Sequence, residues 1–190
     1  MFDQVTSLLQ PLPADVIQST IELAIEIARE GREGRRIGTL FTLGSPKAVL
    51  QHSRSLILDP IARHPESLRK VFDPSFRGTV KELAQLDGAF VISESGVFVA
   101  ACRYLDARAL RLKLPHGLGA RHMAAAAISK KTKAAGIVVS QTATVRVFKS
   151  GVLVAEILPE LWLLGRYSSY LSGAVRTDKS SNVAVLVREN

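Results

Sequence analysis

The chain has 190 residues, of which 47% are apolar, 22% charged and 6% aromatic, a length for one compact domain and a composition that excludes disordered and fibrous classes. Its single cysteine, Cys102, excludes an internal disulfide and argues against a zinc ribbon, which makes a reducing cytosol the natural setting. The net charge is +8, yet from Ala107 to Ala155 there are nine Lys or Arg and no Asp or Glu, so almost the whole cationic excess lies in one window and points to an anionic partner.

In chain order, Met1 to Leu12 carries Asp3 and no basic cluster, unlike a secretory leader, and no run approaches the roughly 18 to 20 apolar residues that span a bilayer. Neither secretion nor membrane insertion is expected. Ile17, Ile21, Ala24, Ile25 and Ala28 recur at helical spacing and predict an amphipathic helix over Asp15 to Glu30, stopped by Gly31. A polar loop to Arg36 follows, then a strand from Ile37 to Leu43 ending at Gly44. Ser45-Pro46 reads as an N-cap with proline at the first helical position. Asp59-Pro60, His64-Pro65 and Asp73-Pro74 mark turns, and Thr79 with Glu82 reads as a capping box for a short helix ending near Gln85.

Beyond that point strands dominate. Ala89 to Ser93 and Val97 to Cys102, joined by Glu94-Ser95-Gly96, predict a hairpin. Arg108 to Leu114 suits a short strand or an extended loop, and the turn from Pro115 to Gly119 leads into an alanine-rich helix from Arg121 to Lys133. A buried strand over Gly136 to Ser140, a second hairpin pairing Thr144 to Phe148 with Val152 to Glu156, and a last helix from Pro159 to Leu171 complete the core. Val183 to Val187 is an edge strand or a docking segment in an otherwise polar tail. Hairpins mixed with βα units predict an α/β fold with a mixed, twisted β-sheet flanked by α-helices.

Three places carry chemistry. Gly117-Leu-Gly119 precedes Arg121 and His122 in the first turn of the alanine-rich helix. Cations there oppose the helix dipole, whereas an anion would be held by the free N–H groups and the guanidinium together. The alternative is that Arg121 pairs with a carboxylate elsewhere and His122 packs under a loop. Asp87-Gly88-Ala89 sits at a strand mouth, where a carboxylate can meet a hydroxyl or a metal and glycine allows close backbone approach, or where an ordinary turn forms. Ser140 ends a buried strand, either as a phosphate contact or as the start of a turn. No Gly-x-Ser-x-Gly elbow, Walker loop or Rossmann glycine fingerprint occurs, so a nucleotide would be held differently.

Taken together, Asp87-Gly88-Ala89 with its hairpin, Gly119-Ala-Arg-His-x-Ala-Ala125 and Val138-Val-Ser140 resemble the diadenylate cyclase domain, the unit that makes cyclic di-AMP. The likeness is strong over about residues 80 to 155, and Gly38-Thr-Leu-Phe-Thr-Leu-Gly44 resembles stand-alone members of that family. The resemblance implies a single diadenylate cyclase domain over 1–175, with an N-terminal helical segment 1–36, a catalytic core from about 37 to 175 and a tail 176–190. It implies condensation of two ATP into cyclic di-AMP and two pyrophosphates, aided by Mg²⁺, Mn²⁺ or Co²⁺, across a homodimer or higher homo-oligomer in the cytoplasm. Asp87 would orient the ribose 3′-hydroxyl, with positioning outweighing proton abstraction because carboxylates are weak bases at neutral pH. Gly88 and Ala89 would let the nucleotide approach the backbone, Arg121 and His122 would hold phosphates with Gly119, Ala120 and Ser140 beside them, and Tyr104 and Leu105 would border adenine.

Many members of that family have Thr where Ala120 stands, Arg where Met123 stands, an acidic residue just after the serine, where Gln141 and Thr142 stand here, and His in place of Leu86. One hydroxyl contact and one phosphate charge are therefore lost or supplied elsewhere, and the metal ligands are not assigned. Two rival functions share the basic window: a non-catalytic sensor of ATP or cyclic di-AMP, and a nucleic-acid-binding module. Nucleic acid is the less expected partner, because Phe148 is the one aromatic in that window.

Overall fold

The structure is a computed structural model describing residues 2–106, 112, 114–159, 175–178 and 183–186. Two helices open the chain, α1 (Phe2–Leu8) and α2 (Ala14–Glu30), followed by β1 (Thr39–Leu43), α3 (Pro46–Gln51) and β2 (Ser53–Ser55). Then come α4 (Pro74–Leu83), the hairpin β3 (Ala89–Ile92) and β4 (Phe98–Leu105), α5 (Ala120–Lys131), β5 (Ala135–Val139) and the hairpin β6 (Val145–Lys149) and β7 (Val152–Ile157). A separate antiparallel pair is formed by β8 (Val175–Asp178) and β9 (Val183–Leu186). The predicted strand or loop at 108–114 and the predicted helix at 159–171 lie largely outside the described residues.

Seven strands form one mixed sheet in the order β2-β4-β3-β1-β5-β6-β7. β1 and β3 run parallel, and every other neighbouring pair is antiparallel. Strand alternation separates two cores. Phe41 and Leu43 of β1, with Ile137 and Val139 of β5, join Ile17 and Ile21 of α2 on one face. Leu40 and Val138 point the other way, toward Ala125 and Ile128 of α5 and Val49 of α3. On the α2 face Phe41, Phe90 and Phe98 meet with ring centroids 5.3 to 6.3 Å apart, and full burial of each phenyl ring contributes about 1.5–3 kcal/mol.

The alanines of α5 have a steric reason. A Cβ added at Gly136 of β5 would stand 2.8 Å from the Ala125 Cβ and 2.9 Å from its carbonyl oxygen. Helix and sheet approach so closely that small residues are required on both sides, and Ala125, Ala126 and Ala127 are fully buried.

Ser45 takes the N-cap position of α3 and Pro46 opens the helix, as expected, although the Ser45 backbone is left-handed at φ 49° and its side chain makes no capping bond. Its N–H donates instead to Glu94 Oε1 at 2.6 Å. The predicted capping box at Thr79 and Glu82 does not form. α4 starts a turn and a half earlier, where the Asp73 carboxylate accepts from the N–H groups of Ser75 and Phe76 at 2.8 and 3.1 Å and Pro74 takes the first helical position. Thr79 lies inside the helix, and Gly78, poor in helix propensity, hid the continuity of the segment.

Candidate functional site

On the α5 face of the sheet, the end of β5, the start of β3, the end of β4 and the first turn of α5 surround a pocket of about 560 Å³, within the range that holds a small-molecule cofactor or substrate. All ten residues singled out from the sequence border it. Four chain segments, separated in sequence, therefore converge on one cavity. Leu40, Val138 and Ala124 supply its apolar wall.

The Asp87-Gly88-Ala89 corner is built against a β-bulge. The register moves from Val91 opposite Ala100 to Ala89 opposite Arg103, which leaves one extra residue in β4 at Ala101-Cys102, and Cys102 takes φ 52°. The backbone groups released by the bulge are caught elsewhere. The Ala101 N–H donates to Asp59 Oδ2 at 3.1 Å, and the Cys102 carbonyl accepts from the Leu56 N–H at 2.9 Å. Gly88, at φ 107°, lies so close that a Cβ would fall 2.6 Å from the Cys102 carbonyl carbon. Strand β4 continues through the bulge to Leu105, so Tyr104 and Leu105 are within the strand and not beyond it as the sequence reading placed them.

Asp87 and Arg121 meet across the pocket, with Arg121 Nη2 3.0 Å from Asp87 Oδ1. The carboxylate is 78% exposed and the guanidinium 40%, so the pair is solvated and worth no more than about 1 kcal/mol. It opens at little cost to a ligand that offers either partner a better contact. Gly119 caps α5 without a side chain, which leaves the helix start open to an anion.

His122 was expected beside Arg121 as a phosphate contact, and the structure places it differently. Its ring is buried, packs edge-on to Phe148 at 6.1 Å and lies with Nε2 3.3 Å from Arg146 Nη1. Arg146 is in turn held by Glu156 at 2.6 Å. Burial, and then the adjacent Arg146 charge, push the His122 pKa below its ordinary value, against a weaker opposing pull from the Gly119 carbonyl. A neutral imidazole accepting at Nε2 carries its proton on Nδ1, and Nδ1 is sealed from solvent. The ring braces the start of α5 against β6, and the positive charge at that end comes from Arg121.

Ser140 also differs in detail. Its Oγ accepts from the N–H groups of Thr142 and Thr144 at 3.2 and 3.3 Å. With both lone pairs engaged, its proton goes to Thr142 Oγ1, 2.6 Å away. The hydroxyl borders the pocket while organising the turn that follows β5.

Arg103 is the charged pocket residue that sequence reading missed. It lies opposite Ala89 in the β3–β4 ladder and therefore on the pocket face. The signal is its place two residues before Leu105, which puts both on one face of β4 once the strand is seen to run to Leu105. As for metal binding, Asp87 is the single carboxylate among the described residues that border the pocket. Among the described residues no three His, Cys, Asp or Glu converge, so the side chains do not form a resident divalent-metal cage. No helix among the described residues is long and apolar enough to cross a membrane.

Comparison with known proteins places this geometry among relatives. Residues 26–153 match the family model described as DAC, the DisA bacterial checkpoint controller nucleotide-binding family. A diadenylate cyclase of Methanocaldococcus jannaschii is 46% identical over 149 residues, 78% of this chain and 47% of that protein. Another from Haloferax volcanii is 43% identical over 148 residues, 77% of this chain and 54% of that one. The chain thus spans about half the length of these relatives. A solved structure described as a hypothetical membrane spanning protein from Bacillus cereus shares the fold at 23% identity and TM-score 0.50, covering 77% of this chain and 65% of that one.

Proposed function

This chain belongs to the DAC family of nucleotide-binding domains, and from that premise we propose that it is a diadenylate cyclase, condensing two ATP into cyclic di-AMP with release of two pyrophosphates. The observation that carries the proposal is the convergence of Asp87-Gly88-Ala89, Gly119 to His122 and Ser140 on one pocket, in a chain whose matching relatives are diadenylate cyclases. The triphosphate lies at the open start of α5 with Arg121 on its oxygens. Tyr104 and Leu105 border the base. Once phosphate draws Arg121 away, Asp87 is released to accept a hydrogen bond from the ribose 3′-hydroxyl and orient it.

Two subunits of a homodimer or higher homo-oligomer face each other, each presenting one nucleotide. Each 3′-oxygen attacks the α-phosphorus opposite, a P–O bond forms, the bond to pyrophosphate breaks, and the hydroxyl proton passes to solvent or to Asp87. Most of the rate gain comes from alignment, since holding two reactants in register replaces a costly encounter. A divalent ion, Mg²⁺, Mn²⁺ or Co²⁺, offsets phosphate charge when bound, and the donor set suits an ion carried in on the triphosphate better than a resident one. The expected setting is the cytoplasm.

Incubation with ATP and each of these ions, followed by nucleotide chromatography, is expected to yield cyclic di-AMP and pyrophosphate. Absence of product with every ion contradicts the proposal. Binding of ATP or cyclic di-AMP without turnover would support the sensor reading, which the presence of one carboxylate, Asp87, among the described pocket residues favours.

A further inference from the structure

We propose that Arg103 is a second phosphate-binding cation of this pocket, contributed by β4 beside Arg121 of α5. Arg103 borders the same cavity as Asp87 and Arg121. Its guanidinium is fixed on the edge strand β2: Nε donates to Ser53 Oγ at 3.1 Å, Nη2 to the Ser53 carbonyl at 3.0 Å and Nη1 to Ser55 Oγ at 2.8 Å. All three acceptors are neutral. A guanidinium carries five N–H donors, so two remain, one on each terminal nitrogen. Arg121 has a carboxylate partner in Asp87, whereas Arg103 makes no ion pair among the described residues. Among the described residues, therefore, Arg103 is a pocket-lining cation that is immobilised and without a counter-charge, and a phosphate group would supply both the charge and the missing acceptors. Gly88, whose added Cβ would stand 2.8 Å from the Arg103 backbone nitrogen, puts this residue beside the corner that carries Asp87.

The inference rests on the nucleotide reading of the pocket, and the two fail differently. The test compares α,β-methylene-ATP, which cannot be cyclised, with uncharged adenosine, both by calorimetric titration or competition. Arg103→Met is expected to weaken the triphosphate about ten- to a hundredfold, the worth of one charge-assisted hydrogen-bond pair, and to leave adenosine within about threefold. Arg103→Lys, which keeps the charge but loses the planar fork that Ser53 and Ser55 hold, is expected to recover only part of the triphosphate affinity, falling between wild type and Arg103→Met. Equal weakening of both ligands would reduce Arg103 to a brace between β4 and β2 and overturn the proposal, as would no weakening of either. If Arg103→Met does not fold, Arg103→Gln, which retains two N–H donors for the serines, is read in the same way. A wild-type protein that binds neither ligand removes the nucleotide reading itself and Arg103's role with it.

Discussion

Replacing Asp87 by asparagine is expected to cut cyclic di-AMP formation by about a thousandfold while leaving nucleotide affinity unchanged or slightly tighter. The two halves of that expectation have separate causes. Asparagine matches the shape of aspartate but carries no charge, so the 3′-hydroxyl loses the anionic acceptor that orients it and takes up positive charge as the oxygen attacks. Arg121, held by the Asp87 carboxylate at 3.0 Å in the ligand-free protein, is set free at the same time. A cation no longer shared with a carboxylate meets phosphate at least as well as before. Product chromatography reads the first effect and titration with α,β-methylene-ATP the second. A variant that turns over ATP at the wild-type rate would remove Asp87 from the mechanism.

The second large effect is on the fold. Gly88→Ala is expected to cost about 2–5 kcal/mol of stability, combining a strained positive φ with overpacking. The obstruction cannot yield by rotating a side chain, because the new Cβ would face backbone atoms: the Cys102 carbonyl carbon at 2.6 Å, its Cα at 2.7 Å and the Arg103 nitrogen at 2.8 Å. Those atoms belong to the β4 bulge, which is fastened on its far side to Asp59 and Leu56. Relief requires β3 and β4 to part, and that moves Asp87 on one side and Arg103 on the other. Activity is expected to fall with stability, by more than a hundredfold, since a misplacement near 1 Å is already costly to an aligned reaction. Chemical denaturation measures the stability, and an alanine variant as stable as wild type would contradict the packing described.

The hairpins and α2 were legible because their signals are local: alternation bounded by Glu94-Ser95-Gly96 or Lys149-Ser150-Gly151, and apolar residues at helical spacing. What the sequence concealed depends on partners far along the chain. The bulge at Cys102 exists because Asp59, 42 positions away from Ala101, accepts the N–H that the ladder gives up, and no local pattern announces such a pairing. It was this bulge that carried β4 on to Leu105 and brought Arg103 into the pocket. His122 read as a cation in the first turn of a helix, and only the fold brings Arg146 against it and burial around it. Within the described part of the basic window, some of the charge serves the fold. Lys131 meets Asp106 and the Lys149 ammonium donates to the Lys133 carbonyl at 2.8 Å, so these lysines serve the far end of α5, and among the described lysines and arginines of that stretch Arg121 alone borders the pocket.

The proposed reaction requires each subunit to hold one nucleotide with its phosphates at the start of α5 and its ribose at the β3 corner. The most direct measurement is a crystal structure of the protein with α,β-methylene-ATP. The predicted result is a triphosphate bonded by Arg121 and Arg103, a 3′-hydroxyl within hydrogen-bond reach of Asp87 and a base against Tyr104 and Leu105. A nucleotide bound elsewhere, or seated here with its ribose turned away from Asp87, would contradict it.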